Sequence, residues 1–276
     1  DYTVRVEVTE NQSEQLFLSR NITRSETTVS AEITVHAFEY TQEDKQRPIN
    51  GSSSRYQDKV YEYTPAPGQF IGEMKTAGFT GSELTQEDAI DYATKRLTAG
   101  IGNPNSNSTY VSLGGFGGYI IVGFDHSICK TDNTYDFAVQ GNAFDGSSEA
   151  GIVWVMQDVN GNGLPDDEWY ELRGSETGKE GTIQNYAVTY YRPWGRGMDV
   201  QWTDSEGNKG CIDYLLTFHD QDYYYPTWIK EESYTLRGTL LPARNRVDGN
   251  TGYWENQAYD WGYVDNFGND QLEGAD

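Results

Sequence analysis

Asp158-Val-Asn-Gly-Asn-Gly-Leu-Pro-Asp-Asp-Glu-Trp-Tyr-Glu-Leu172 decides how the rest of this chain is read. Asp158, Asn160 and Asn162 place oxygen-bearing side chains at alternate positions, and Gly163 follows where a tight loop needs positive φ. Leu164 offers its backbone carbonyl, and Asp166, Asp167 and Glu168 add carboxylates. This is the first half of an EF-hand-type loop, in which Ca2+ gathers about six to eight oxygens. The twelfth position, where a Glu usually closes the shell, is Trp169, so the last ligand is open. Gly151–Gln157 and Trp169–Arg173 are rich in β-branched and aromatic residues and predict strands. The expectation is a turn between two strands pinned by Ca2+ in a structural role. Its ligands are Asp158, Asn160, Asn162, Leu164 and Asp166 or Asp167; the alternative is an Asn-Gly turn with solvated acids.

The chain of 276 residues is long enough to bury a core without staples. Its net charge of −23, from 43 acidic against 20 basic residues, argues against nucleic acid or an anionic membrane as partner. Most of these acids serve solubility. With 30 Gly, 21 Tyr and 7 Trp and few helix formers, the composition is that of strands and turns. Cys129 and Cys211 are far apart in sequence and could form one disulfide, but they make no framework. No apolar run spans a bilayer and no signal peptide is recognisable. The start at Asp1 without Met suggests a processed or trimmed piece.

Residues 2–9 alternate, with Tyr2, Val4, Val6 and Val8 on one face, and residues 28–40 repeat the pattern. A polar stretch from Thr41 to Asp58 reads as a linker. One helix is predicted after Thr85: Thr85 and Asp88 form a capping-box-like pair, Ala89, Ile90, Ala93 and Leu97 share a face, and Gly100 stops it. Further strands are predicted around 113–125, 135–144, 185–192, 199–203, 210–214 and 233–240, with a hairpin turn at Asp204–Lys209. Strands at this spacing without intervening helices imply an all-β fold. The expected architecture is an antiparallel β-sandwich or jelly roll with one short capping helix. The division expected is an N-terminal β segment with linker over 1–58 and a jelly-roll domain over 59–276.

Several blocks together resemble one family. They are Leu-Gly-Gly-Phe-Gly-Gly-Tyr (113–119), Gly-Phe-Asp-His-Ser (123–127), Tyr-Asp-Phe-Ala-Val-Gln-Gly-Asn-Ala-Phe (135–144), the 158–172 loop, Tyr-Tyr-Arg-Pro (190–193), Tyr-Tyr-Tyr-Pro-Thr-Trp-Ile (223–229) and Ala-Tyr-Asp-Trp-Gly-Tyr (258–263). The chain is similar over roughly residues 60–268 to the Bacteroidetes "cell surface protein" family of PKD-like plus jelly-roll lipoproteins. The strand at residues 2–9 also resembles the last strand of a PKD module. The resemblance implies a galactose-binding-like jelly roll anchored on the outer surface through a lipidated N-terminus that this chain lacks. It also implies work beside a TonB-dependent outer-membrane transporter in cobalamin-uptake loci, and it supports the Ca2+ ligands named above. The family pattern carries a further C-terminal strand not found here, so the chain is expected to be truncated or to close differently.

The residues themselves point to binding rather than chemistry. The glycine run 113–118 precedes a strand, whereas a phosphate cradle needs a helix N-terminus after it. His36, His126 and His219 lack metal-ligand spacing, and neither Gly-x-Ser-x-Gly nor His-Glu-x-x-His occurs. His126 reads as a hydrogen-bonding turn residue beside Asp125. Two aromatic clusters remain: Tyr190–Gly197 and Tyr223–Trp228. Trp194 and Trp228 are expected as exposed platforms, with Tyr223, Tyr224 and Tyr225 beside them and Arg192 and Arg196 as hydrogen-bond donors. The competing reading places these aromatics in the core and at strand edges. The expected function is non-enzymatic capture of a corrinoid for the transporter, which rests on the resemblance. The alternative is a carbohydrate-binding module, and a glycan hydrolase is a third reading that no constellation of residues favours.

Overall fold

Alternating apolar positions find antiparallel partners along the chain. The computed structural model describes residues 2–9, 28–35, 47–99, 101, 109–130, 132, 135–219 and 221–266. The chain divides into two units, Asp1–Lys45 and Gln46–Asp276. In the first, β1 (Tyr2–Thr9) and β2 (Thr28–Val35) pair in register from Tyr2↔Val35 to Thr9↔Thr28. Residues 36–40 of the strand expected over 28–40 lie outside the described residues.

The second unit contains β3 (Lys59–Thr64), helix α1 (Gln86–Ala99) and β4 (Tyr119–Gly123), with β3 and β4 antiparallel. Next come β5 (Trp154–Met156) and β6 (Trp169–Glu171), a two-stranded antiparallel pair. A four-stranded antiparallel sheet follows, made of β7 (Ile183–Tyr191), β8 (Val200–Asp204), β9 (Lys209–Ile212) and β10 (Ser233–Leu240) in the order β10-β7-β8-β9. The ribbon of β11 (Asn245–Val247) and β12 (Trp254–Asn256) completes the set. The architecture is all-β and antiparallel with a single short helix, in keeping with a sandwich. Residues 47–58, expected as part of a linker ahead of the domain, lie inside the second unit and bond within it. Arg47 and Ser127 exchange two bonds of 2.9 Å, and the Asp58 amide donates to the Gly123 carbonyl at 3.1 Å.

Two apolar clusters hold this unit. One face of the four-stranded sheet presents Tyr186, Val188, Tyr190, Val200 and Leu236, and Ala66, Tyr224 and Tyr225 from irregular segments pack against it. The second cluster joins α1 (Ala89, Tyr92, Ala93) to Val60 and Tyr63 of β3 and to Ile71, Phe79 and Trp228. Buried and half-buried tyrosines also pin loop backbone. The hydroxyl of Tyr63 donates to the Ser112 carbonyl (2.7 Å), Tyr92 to Ala77 (2.6 Å), Tyr190 to Phe116 (2.9 Å) and Tyr234 to Pro65 (2.7 Å). Irregular backbone near a core leaves carbonyls without ladder partners, and a phenol supplies apolar area and the missing donor together.

Local signals behave as expected in α1. The Thr85 hydroxyl accepts from the Asp88 amide at 3.2 Å, and the Asp88 carboxylate accepts from the Thr85 amide at 2.9 Å, which is a capping box. The glycine run owes its composition to close backbone approach. A Cβ at Gly114 would lie 1.9 Å from the Ala66 carbonyl oxygen, and that residue has φ 72°. One expected strand fails: 135–144 is irregular apart from a single bridge between Phe144 and Ser147. Tyr135, Phe137 and Val139 alternate but remain exposed, outside any strand of the described residues. Among the described residues no helix is long and apolar enough to cross a membrane.

Candidate functional site

The 158–167 loop is the connection of the β5–β6 hairpin, paired from Trp154↔Glu171 to Met156↔Trp169. Gly161 (φ 71°) and Gly163 (φ 73°) supply the left-handed turns. The loop is tightly self-bonded. Asp158 accepts from the amides of Asn162 (3.1 Å) and Gly163 (2.9 Å), and Asp167 accepts from the Val159 amide (2.8 Å). The Asn162 side-chain oxygen accepts from the Leu164 amide (2.7 Å). The Asp166 carboxylate receives the side-chain amides of Asn162 (2.9 Å) and Asn160 (3.0 Å), which hold its pKa below the ordinary carboxylate value. Tyr61 of β3 donates to the Gly163 carbonyl at 2.8 Å and fastens the loop to the β3–β4 pair.

The loop carries donors of the kind a hard cation takes, with carboxylates at Asp158, Asp166 and Asp167, amide oxygens at Asn160 and Asn162 and the Leu164 carbonyl. The three carboxylates, however, do not gather within 4.8 Å of one another and accept amide N–H bonds instead. Two amides now point nitrogen at Asp166.

The aromatic residues expected in the ligand site separate by burial. Trp228 is 5% exposed and stacks between Tyr63 (5.8 Å between ring centroids) and Phe79 (5.7 Å), so it is a core residue and no platform. Tyr224 (0%) and Tyr225 (1%) are also core. The Tyr224 hydroxyl donates to the His219 carbonyl and that of Tyr225 to the Glu231 carbonyl, both at 2.9 Å. Tyr223 is half-buried. The physical reason is that 221–229 is irregular and threads between both clusters, so strand alternation does not apply to it. Arg192 is engaged structurally: its guanidinium bonds the Ile229 and Glu231 carbonyls and lies 4.7 Å from the Tyr225 ring centroid.

Trp194 and Arg196 remain at the surface. Trp194 is 91% exposed on the connection between β7 and β8. Arg196 pairs with Asp222 at 3.2 Å, and the Gly197 amide donates to the Asp222 carbonyl at 2.9 Å, so the loop is fastened on both sides of its turn. Two features escaped the sequence reading. Leu216 and Phe218 are 73% and 78% exposed on the neighbouring connection after β9; a Leu-Leu-x-Phe run between polar residues was the available signal. Asp199, Cys211 and Asp213 bring one ligand atom each within 4.8 Å of one another on the solvent side of β8 and β9. That juxtaposition follows from strand register, Val200↔Ile212, and is invisible in sequence spacing.

The Cys211 thiol donates to Asp213 at 3.1 Å, which pushes its pKa up. Cys129 and Cys211 are both free and exposed, so the disulfide considered from sequence is not formed. His126 bonds Asp125 at 2.6 Å, as its position suggested, and that bond draws the Asp125 pKa down. Compared with known proteins, this chain matches no family model and no curated protein.

Proposed function

We propose that this chain is a non-enzymatic, calcium-stabilised ligand-binding protein of the cell surface, and that it captures a corrinoid for hand-over to an outer-membrane transporter. The ligand class and location come from the sequence resemblance. The observation that carries a binding role is Trp194: a large indole held almost wholly in solvent on a loop fastened at Arg192, Arg196 and Gly197. An indole so held presents a flat apolar face with an N–H donor at its edge, a shape on which a ring-bearing ligand can stack. Ca2+ would be held by Asp158, Asn160, Asn162, the Leu164 carbonyl and Asp166 or Asp167; it would supply loop rigidity and no chemistry. Calorimetric titration with cyanocobalamin and with a panel of soluble glycans tests the reading. Heat with cyanocobalamin supports it, heat only with a glycan replaces the corrinoid by a carbohydrate, and heat with neither defeats it.

A further inference from the structure

Asn-Gly occurs three times in the chain, at 50–51, 160–161 and 162–163. This dipeptide carries its own chemistry. The glycine amide nitrogen can attack the asparagine side-chain carbonyl carbon, because glycine has no Cβ to hinder the approach. Loss of ammonia closes a five-membered imide, and water opens it to aspartate or isoaspartate. Nucleophile and target sit on neighbouring residues, so local geometry sets the rate.

All three asparagines make the same local turn. The side-chain oxygen accepts from the amide two residues on: Ser52 to Asn50 at 2.9 Å, Asn162 to Asn160 at 2.9 Å, and Leu164 to Asn162 at 2.7 Å. What differs is the bracing around that turn. In the hairpin loop the side-chain nitrogens of Asn160 (3.0 Å) and Asn162 (2.9 Å) both donate to Asp166. The Gly163 amide, which is the nucleophile for Asn162, donates to Asp158 at 2.9 Å. Reaction at either residue must first break a bond to a carboxylate. Asn50 has no such restraint. It is exposed, and among the described residues no acceptor takes its side-chain N–H groups or the Gly51 amide. Its side-chain oxygen has a second donor instead, the Ser52 hydroxyl at 2.6 Å. Two donors on that oxygen stabilise the negative charge that develops there as the Gly51 nitrogen adds. The Asn50 amide donates to the Ser53 hydroxyl at 3.1 Å and the Ser53 amide to the Asn50 carbonyl at 3.0 Å, so the turn is held in this form.

We infer that Asn50 is a site of spontaneous deamidation with water as co-reactant, and that Asp158 and Asp166 protect the two Asn-Gly pairs of the hairpin loop from the same reaction. The Gly51 amide gives its proton to solvent base, and its nitrogen bonds to the Asn50 side-chain carbonyl carbon. The bond from that carbon to the side-chain nitrogen then breaks, and ammonia leaves with a proton taken from water. Water adds to either carbonyl of the imide and gives aspartate or, with one more methylene in the main chain, isoaspartate. Nothing is oxidised or reduced. Each product adds one negative charge to a chain that already carries −23. The protecting role of Asp158 and Asp166 rests on their own hydrogen bonds and is independent of Ca2+ in the loop.

The native chain is incubated at mildly alkaline pH in EDTA, so that protection in the loop comes from the protein's own bonds. Peptide mass spectrometry in heavy-oxygen water follows conversion at each asparagine. Conversion at Asn50 should be about tenfold or more faster than at Asn160 or Asn162, the factor that one hydrogen bond to a charged group carries in a rate. In urea, where the loop's bonds are gone, the three rates should converge. Asp166→Ala should speed conversion at Asn160 and Asn162 and leave Asn50 unchanged, and Asp158→Ala should speed Asn162 most. Gly51→Ala should slow Asn50, and a Cβ there meets nothing within 4 Å, so the fold is kept. Melting curves confirm that each variant is folded, and where one carboxylate variant is not, the other carries the test. Three results each overturn the inference: Asn160 or Asn162 converting as fast as Asn50 in the folded chain, the same ranking by the same factor in urea, or hairpin sites no faster in the folded carboxylate variants. No conversion at Asn50 overturns it as well.

Discussion

Trp194 and Trp228 carry the same side chain in opposite settings. Trp228 fills the space between Tyr63 and Phe79, and its removal leaves a cavity that fixed neighbours cannot close. Trp228→Ala should lower the free energy of unfolding by about 3–5 kcal/mol in a denaturant titration. Trp194→Ala should change it by less than about 0.5 kcal/mol, because that side chain has almost no surroundings to lose. Reversed magnitudes would mean that the two burial assignments are exchanged. The sequence placed both residues in aromatic clusters beside Pro and Arg, and nothing local separates them. What separates them is tertiary: 221–229 is covered by α1 and the sheet, whereas the β7–β8 turn projects beyond the strands.

At the scale of elements, the β5–β6 hairpin was the most legible part of the chain. Its Asn-Gly-Asn-Gly core requires positive φ, its flanks favour strands, and the register joins Met156 to Trp169. Helix α1 was equally legible through Thr85 and Asp88. The strand expected at 135–144 was not, because alternation records a preference for pairing and the partner is a long-range fact. The hairpin makes its own prediction. Removing Ca2+ with EDTA should lower the melting temperature, since an ion bound only by the folded state adds stability, and Asp158→Ala should abolish the difference. A melting temperature indifferent to EDTA contradicts an ion in this loop. Without the ion, Asp158 still caps the Asn162 and Gly163 amides, so Asp158→Ala should also be less stable than the native chain in EDTA.

For the whole molecule, tyrosine replaces much of the regular structure that a core of this size would ordinarily supply. Phenols from both clusters reach carbonyls in the 65–67, 112–118, 219 and 231 segments. The abundance of Tyr was plain in the sequence and read only as β composition, because donor-to-loop pairing has no spacing signature. It makes stability sensitive to alkali. Burial pushes the pKa of Tyr186 and Tyr225 up to about 12 and raises those of Tyr63, Tyr190 and Tyr234 as well. A folded pKa above the unfolded one gives stability that is complete below the unfolded value and lost as pH rises through the folded one. The denaturation midpoint should therefore hold up to about pH 10 and fall steeply toward about pH 12, together with tyrosinate absorbance. A midpoint flat across that interval would contradict the pinning role.

At every scale the proposal is the same, that ligand is taken on the exposed loop at Trp194 while the tyrosine core and the hairpin hold the scaffold. The most direct measurement is the affinity of cyanocobalamin for the native chain and for Trp194→Ala under identical conditions. The prediction is binding by the native chain, weakened about tenfold or more in the variant at an unchanged melting temperature. Equal affinities, or no binding by the native chain, would contradict it.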